Sequence, residues 1–137
     1  LSFFLSSEPL VPTASIDDPE SGARVVFEGA VRRLNEGKAV RYLEYEAFAE
    51  LAVPLGEAIL EESKKLFEIR GAECVHRVGS LQICDLAIRV IVTAAHRKAA
   101  FEACAWIVDR IKSQVPIWKK EFYEDGSIVW LDPTAAH

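Results

Sequence analysis

Four groups of basic residues stand out in an otherwise acidic chain. Arg32 and Arg33 follow a run rich in β-branched residues. His96, Arg97 and Lys98 lie where an apolar run gives way to helical spacing. Lys112 falls near the end of that helical stretch, and Lys119 and Lys120 come directly after Pro116 in QVPIWKKE. Arginine and histidine hold phosphate-like oxygens through charge-assisted hydrogen bonds. A lysine whose ammonium is partly desolvated can move a proton. Most of these groups also have an ordinary structural reading. Arg32 and Arg33 read as surface charges at a strand end, Lys112 as a cation facing the negative end of a helix dipole, and Lys119 with Lys120 as solvated charges on an edge strand. The group at His96 is harder to explain that way. It opens a helix, where fixed positive charge is least welcome, unless an anion is bound to the free N–H groups there.

Spacing adds a constraint. His96 and Lys112 are sixteen residues apart on one helix, or about 24 Å at 1.5 Å per residue. No small molecule bridges that distance along one chain. If all four groups serve one site, two chains must build it, and a symmetric dimer would hold two equivalent composite sites.

The chain of 137 residues, with 16 Lys+Arg against 21 Asp+Glu and a net charge of −5, reads as one domain over residues 1–137. The acidic balance argues against general nucleic-acid binding and still allows a local basic pocket. No run approaches the ~20 apolar residues of a membrane span. The apolar start, Leu1 to Leu5, is too short and lacks the basic flank of a signal peptide. The absence of methionine points to a trimmed or processed start. Cys74, Cys84 and Cys104 form no C-x-x-C pair, which fits a reducing, cytoplasmic setting without a disulfide framework. His76, His96 and His137 are scattered, without metal-ligand spacing.

The elements that must position these residues follow from periodicity. Glu8 to Gly22 is rich in turn formers and reads as a loop. Strands are expected at Ala23–Arg32 and Val40–Phe48, with a turn around Asn35 and Gly37 between them. In the second strand Leu43, Tyr45 and Ala47 face one way, and Tyr42, Glu44 and Glu46 the other. A helix follows from Ala49 to Phe67, with Leu55, Ile59, Leu66 and Phe67 on its buried face, Pro54 in its first turns and Gly71 as its stop. The run from Ala72 to Gly79 reads as a third strand, and Leu86–Ala94 as a central fourth. A second helix from His96 to Val115 buries Ala100, Cys104, Ile107, Val108, Ile111 and Val115, and Pro116 ends it. Beyond it a closing hairpin turns at Glu124–Ser127, and Trp118 is expected to bury its ring and so fix Lys119 relative to Lys112. The element order predicts an α+β fold with a largely antiparallel sheet and two main helices.

Taken together, GARVVFEGAVR, AVRYLEYEAF, HRVGSL, VTAAHRKAAFEA and VDRIKSQVPIWKKE resemble the large, catalytic subunit of molybdopterin synthase, the MoaE family. The resemblance runs from Gly22 to Trp130, with residues 1–22 matching weakly. It implies an α/β-hammerhead-like fold and a cytoplasmic sulfurtransferase of molybdenum cofactor biosynthesis. Two sulfurs would pass from the thiocarboxylated C-terminal Gly-Gly of a small ubiquitin-like subunit of MoaD type to cyclic pyranopterin monophosphate, forming the dithiolene of molybdopterin. It further implies a homodimer of large subunits within a heterotetramer, with no cofactor, metal, nucleic acid or membrane involved. Carried onto this chain, it makes Arg32, His96, Arg97, Lys120 and Glu121 substrate-binding, with Phe27 near the pocket. Lys112 would be the general acid/base, and Lys119 would orient the thiocarboxylate and stabilise charge on its carbonyl. The chain departs from the family's pattern at Ala30 and Arg33, in a short tail after Trp130, and at Gln82–Ala87, where the family often has Pro or Gly. Two other readings compete: a non-catalytic module that docks the sulfur carrier, and a dimer that binds a phosphorylated metabolite through its helix N-terminus.

Overall fold

In the computed structural model, residues 1–13 and 17–131 are described. Residues 14–16 of the expected N-terminal loop and His137 lie outside that set. The strands are β1 (Ser2–Ser6), β2 (Ala23–Ala30), β3 (Leu34–Asn35), β4 (Lys38–Ala47), β5 (Gly71–Arg77), β6 (Gly79–Gln82), β7 (Leu86–Ala94), β8 (Ile117–Tyr123) and β9 (Ile128–Leu131), with helices α1 (Ala49–Leu66) and α2 (Arg97–Gln114). The α+β class, the two main helices and the largely antiparallel pairing are as expected. The single sheet is not: the strands divide into β1-β5-β7-β2 and β3-β4-β8-β9, with β6 paired to β4. The run read as one strand through Gly79 breaks at Val78. Gly79 has φ +93, which turns the chain out of the first sheet and into the second.

The N-terminal apolar run has a clear use. β1 pairs in parallel with β5, Phe3 opposite Cys74, and Phe3 is buried in the core. Its ring lies against Gly56 of α1 so closely that a Cβ there would sit 2.3 Å from the Phe3 ring. This contact reorients α1. Its buried residues are Ala52, Gly56, Ile59, Leu60 and Ser63, whereas Leu55 and Leu66, expected inside, are exposed. A strand crossing at close range favours small side chains on the helix, and apolar periodicity cannot register a buried glycine or serine.

The sequence pattern describes α2 better. Ala100, Cys104, Ile107, Val108 and Ile111 are buried as expected, together with Ala103, and His96 and Val115 are the extended residues flanking the helix. Its apolar face covers the central strand β7, where Val90 and Val92 join one core with Leu60 of α1 and Ile107 and Ile111 of α2. A smaller core of Val31, Leu43, Leu81 and Ala87 lies between the sheets. Tyr45 packs against both cores.

Candidate active site

The two sheets meet at Tyr45 and His76. The Tyr45 ring on β4 stands edge-on to the His76 ring on β5, centroids 4.8 Å apart at 78°. On its other side Tyr45 is in register with Lys119 of β8, and Leu43 with Glu121, so period-two alternation puts all four side chains on one face. That face forms the floor of a cavity of about 70 Å³ lined by residues that include Arg32, Asn35, Tyr45, Lys119 and Glu121.

Glu121 is buried and well supplied with donors. Asn35 Nδ2 donates to Oε1 at 3.2 Å, the Tyr123 hydroxyl donates to Oε1 at 3.1 Å, and Lys119 Nζ stands 3.8 Å from Oε2. A buried carboxylate needs such company. It fixes Lys119 in return, so Glu121 is placed to hold the lysine. Asn35 reaches it from a tight hairpin whose two turn residues, Glu36 and Gly37, both have positive φ, 51° and 78°. That is the signature of a turn matching strand twist.

Lys112 lies in the last turn of α2. Its ammonium stands over the ring of Phe27 on β2, 5.7 Å from the centroid, a cation–π distance. Its charge also acts on His76. Burial pushes the His76 pKa down to about 4, and the Lys112 charge adds to this, against the opposing pull of the Arg77 carbonyl. His76 Nδ1 is 2.7 Å from that carbonyl oxygen. A carbonyl only accepts, so Nδ1 carries the proton and Nε2 the lone pair. Tyr45 thus stands between the His76 ring and its cross-strand neighbour Lys119, and the Lys112 charge is felt at His76. Trp118 does not fix this arrangement. It is half-buried, and Val115 and Ile117 are the core residues at this corner.

The other expected residues are dispersed. Lys120 points to the opposite face of β8, over the rings of Phe122 and Trp130 at 5.0 and 5.1 Å. His96 and Arg97 are exposed at the start of α2. His96 lines a separate cavity of about 600 Å³ with Arg70, Lys98, Glu20 and Glu102 among its walls. Within one chain, then, Arg32, Lys119 and Glu121 share a pocket, Lys112 and Phe27 adjoin it, and the His96–Arg97 pair sits at the far end of the helix. Asn35, Tyr45 and His76 were not singled out from sequence as site residues. They are uncharged or isolated in sequence, and only the tertiary fold brings them to the lysines.

The family model for the MoaE protein matches residues 5–114. The molybdopterin synthase catalytic subunit of Pyrococcus abyssi is 42% identical over 119 residues, covering 87% of this chain and 80% of that protein. Among solved structures, molybdopterin synthase from Staphylococcus aureus superposes with a TM-score of 0.78 at 40% identity, covering 83% of this chain and 82% of that one. A complex of subunits 1 and 2 of molybdopterin-converting factor from Helicobacter pylori shares the fold, with a TM-score of 0.68 at 22% identity over 81% of this chain and 72% of that one.

Proposed function

The chain belongs to the MoaE family, and from that premise we propose that it is the catalytic subunit of a molybdopterin synthase, a sulfurtransferase of molybdenum cofactor biosynthesis. Its substrate is cyclic pyranopterin monophosphate. Its sulfur donor is the C-terminal thiocarboxylate of a small ubiquitin-like subunit. The observation that carries the assignment of the site is the pocket in which Arg32 and Lys119 share a wall with the buried Glu121, beside Lys112 over Phe27.

Each residue then has a role. Arg32 takes phosphate oxygens through paired N–H donors. The thiocarboxylate sulfur attacks a pterin side-chain carbon that carries a cyclic-phosphate oxygen; the C–O bond breaks as the C–S bond forms, the electron pair leaves on the phosphate, which opens to a monoester, and an acyl–sulfur link joins carrier and substrate. Lys112 moves protons during attack and ring opening. Water then adds to the acyl carbon, the C=O pair moves onto oxygen, and Lys119 faces that charge. Collapse breaks the C–S bond. The carrier leaves as a carboxylate, the sulfur stays on the pterin as a thiolate, and two protons go to solvent. Glu121 acts through Lys119, as a positioning residue. His96 and Arg97 would complete the site from a second copy. In support, the face of α2 and β2 beside Phe27 is an apolar groove of about 360 Å³, with Phe101 and Val26 exposed on it.

Reconstitution tests this. Purified chain, thiocarboxylated small subunit and cyclic pyranopterin monophosphate are mixed and the dithiolene product is followed, with Lys112→Ala in parallel. Product from the parent and a loss of at least about 100-fold in the variant is the expected result. Binding of the small subunit without product would instead favour a docking module.

A further inference from the structure

The pocket wall beside Lys119 contains a donor that the mechanism so far leaves unused. Tyr45 lines the same cavity as Arg32 and Lys119 and is the cross-strand partner of Lys119. Side chains directly opposite on antiparallel strands have Cβ atoms about 5 Å apart, so the two side chains leave the sheet as neighbours on the wall of one cavity. On its other flank Tyr45 is in register with Gly79 of β6, where even a Cβ would meet no atom within 4 Å. The strand that could crowd the ring therefore leaves it space.

Glu121, the nearest carboxylate on this face, is already engaged by Asn35, Tyr123 and Lys119. Among the described residues no hydrogen bond is made by the Tyr45 oxygen. Burial, reinforced by the Glu121 charge, pushes the Tyr45 pKa up to about 12. The group is therefore a neutral O–H throughout the range in which enzymes work, on a residue of the cavity wall, and no described residue supplies it with an acceptor. Among the described residues the Tyr45 oxygen is not one of the fully buried polar atoms left without a partner, so it is open to solvent and a ligand oxygen can take the place of water on it. The edge-on packing with His76 locks the ring, so the donor is held in place before any ligand arrives.

We propose that Tyr45 is a further catalytic residue, whose hydroxyl donates a hydrogen bond to the acyl oxygen that Lys119 faces. The proposal rests on the sulfurtransferase reading above. As water adds to the acyl carbon the C=O pair moves onto oxygen, and the phenol and the ammonium share that charge. When the pair returns, the C–S bond breaks with its electrons on sulfur. The phenol keeps its proton throughout. This geometry favours a neutral donor beside a cation. A second ammonium in so small a space would be repelled by the first, whereas an O–H adds stabilisation without added charge.

The test is Tyr45→Phe, which removes one oxygen and keeps the ring on His76. The variant and the parent are compared at saturating thiocarboxylated small subunit and saturating cyclic pyranopterin monophosphate. Loss of one donor to a developing oxyanion lowers kcat by roughly 100-fold. KM for both substrates is expected to stay within about twofold of the parent, because the bond strengthens only in the transition state. Thermal unfolding of the variant should match the parent, which separates a catalytic effect from a structural one. An unchanged kcat overturns the proposal, as does a rise in KM with kcat intact, which would place the hydroxyl on a ground-state oxygen. If the parent itself yields no product while a competent control enzyme does, the sulfurtransferase reading falls first and takes the proposal with it.

Discussion

His76 is a buried imidazole packed against a phenol, and its surroundings have a consequence for stability as well as for the site. Its pKa is depressed from 6.5 to about 4, first by burial, so the folded state prefers the neutral ring. The unfolded chain takes up a proton as pH falls through 6.5 and the folded chain does not until about 4. Stability from this group is therefore complete above pH 6.5 and is lost progressively as pH falls to about 4, by up to about 3 kcal/mol. Urea unfolding midpoints across that window should fall steeply in the parent. In His76→Phe, which cannot titrate, they should fall much less. Equal slopes would mean that the ring is not held neutral by the fold. The same residue marks a limit of reading sequence. His76 sits in a strand between Val75 and Arg77 and carries no spacing signal, whereas Lys112 and Lys119 were marked by a helix stop and a charge pair. What makes His76 part of the site is Tyr45, thirty-one residues away in sequence, and nothing local announces that contact.

At the scale of elements, the loop between β6 and β7 places a cysteine where the backbone conformation favours glycine. Gln82 to Asp85 forms a turn closed by the Asp85 N–H to the Gln82 carbonyl at 3.0 Å. Cys84 occupies its third position with φ 77°, the left-handed region that a type II turn assigns to glycine. The loop is held there because the Cys84 N–H and the Asp85 carbonyl bracket Val31 with hydrogen bonds of 2.9 Å, next to Arg32. A non-glycine residue in that conformation costs about 1–2 kcal/mol, and glycine gives back about half of that through the freedom it adds to the unfolded chain. Cys84→Gly should therefore raise stability by up to about 1 kcal/mol, read as a shift in urea midpoint at constant slope, while Cys84→Ala should not. Elements whose burial follows one period, such as α2 with its stripe and Pro116, were legible from sequence to within a residue or two. The division into two sheets was not, because it turns on single positions such as Gly79. Nor was the face of α1, because a buried glycine carries no hydrophobic signal.

At the scale of the whole molecule, the length of α2 sets the argument. The helix runs from Arg97 to Gln114, so its basic start at His96 and Lys112 near its end stand about 24 Å apart at the rise of an α-helix. The pocket at Lys119 holds only about 70 Å³, too little to extend toward His96. A composite site across a twofold interface resolves this, and it can be tested without a structure of the dimer. Lys112→Ala and Arg97→Ala are each expected to be nearly inactive alone. If one site takes its lysine from one chain and its arginine from the other, a mixed dimer of the two variants pairs the intact Lys112 of one with the intact Arg97 of the other. Its second site carries both defects. When the two are unfolded and refolded together in equal amounts, half the dimers are mixed and each has one good site, so about a quarter of the parent's activity should return. Phe101→Asp, which places a charge on the exposed apolar face of α2, should prevent this recovery and leave a monomer by sedimentation. Activity that stays at the level of the separate variants after mixed dimers have been isolated would show that each chain builds its site alone, and that His96 and Arg97 serve something other than the reaction at Lys112.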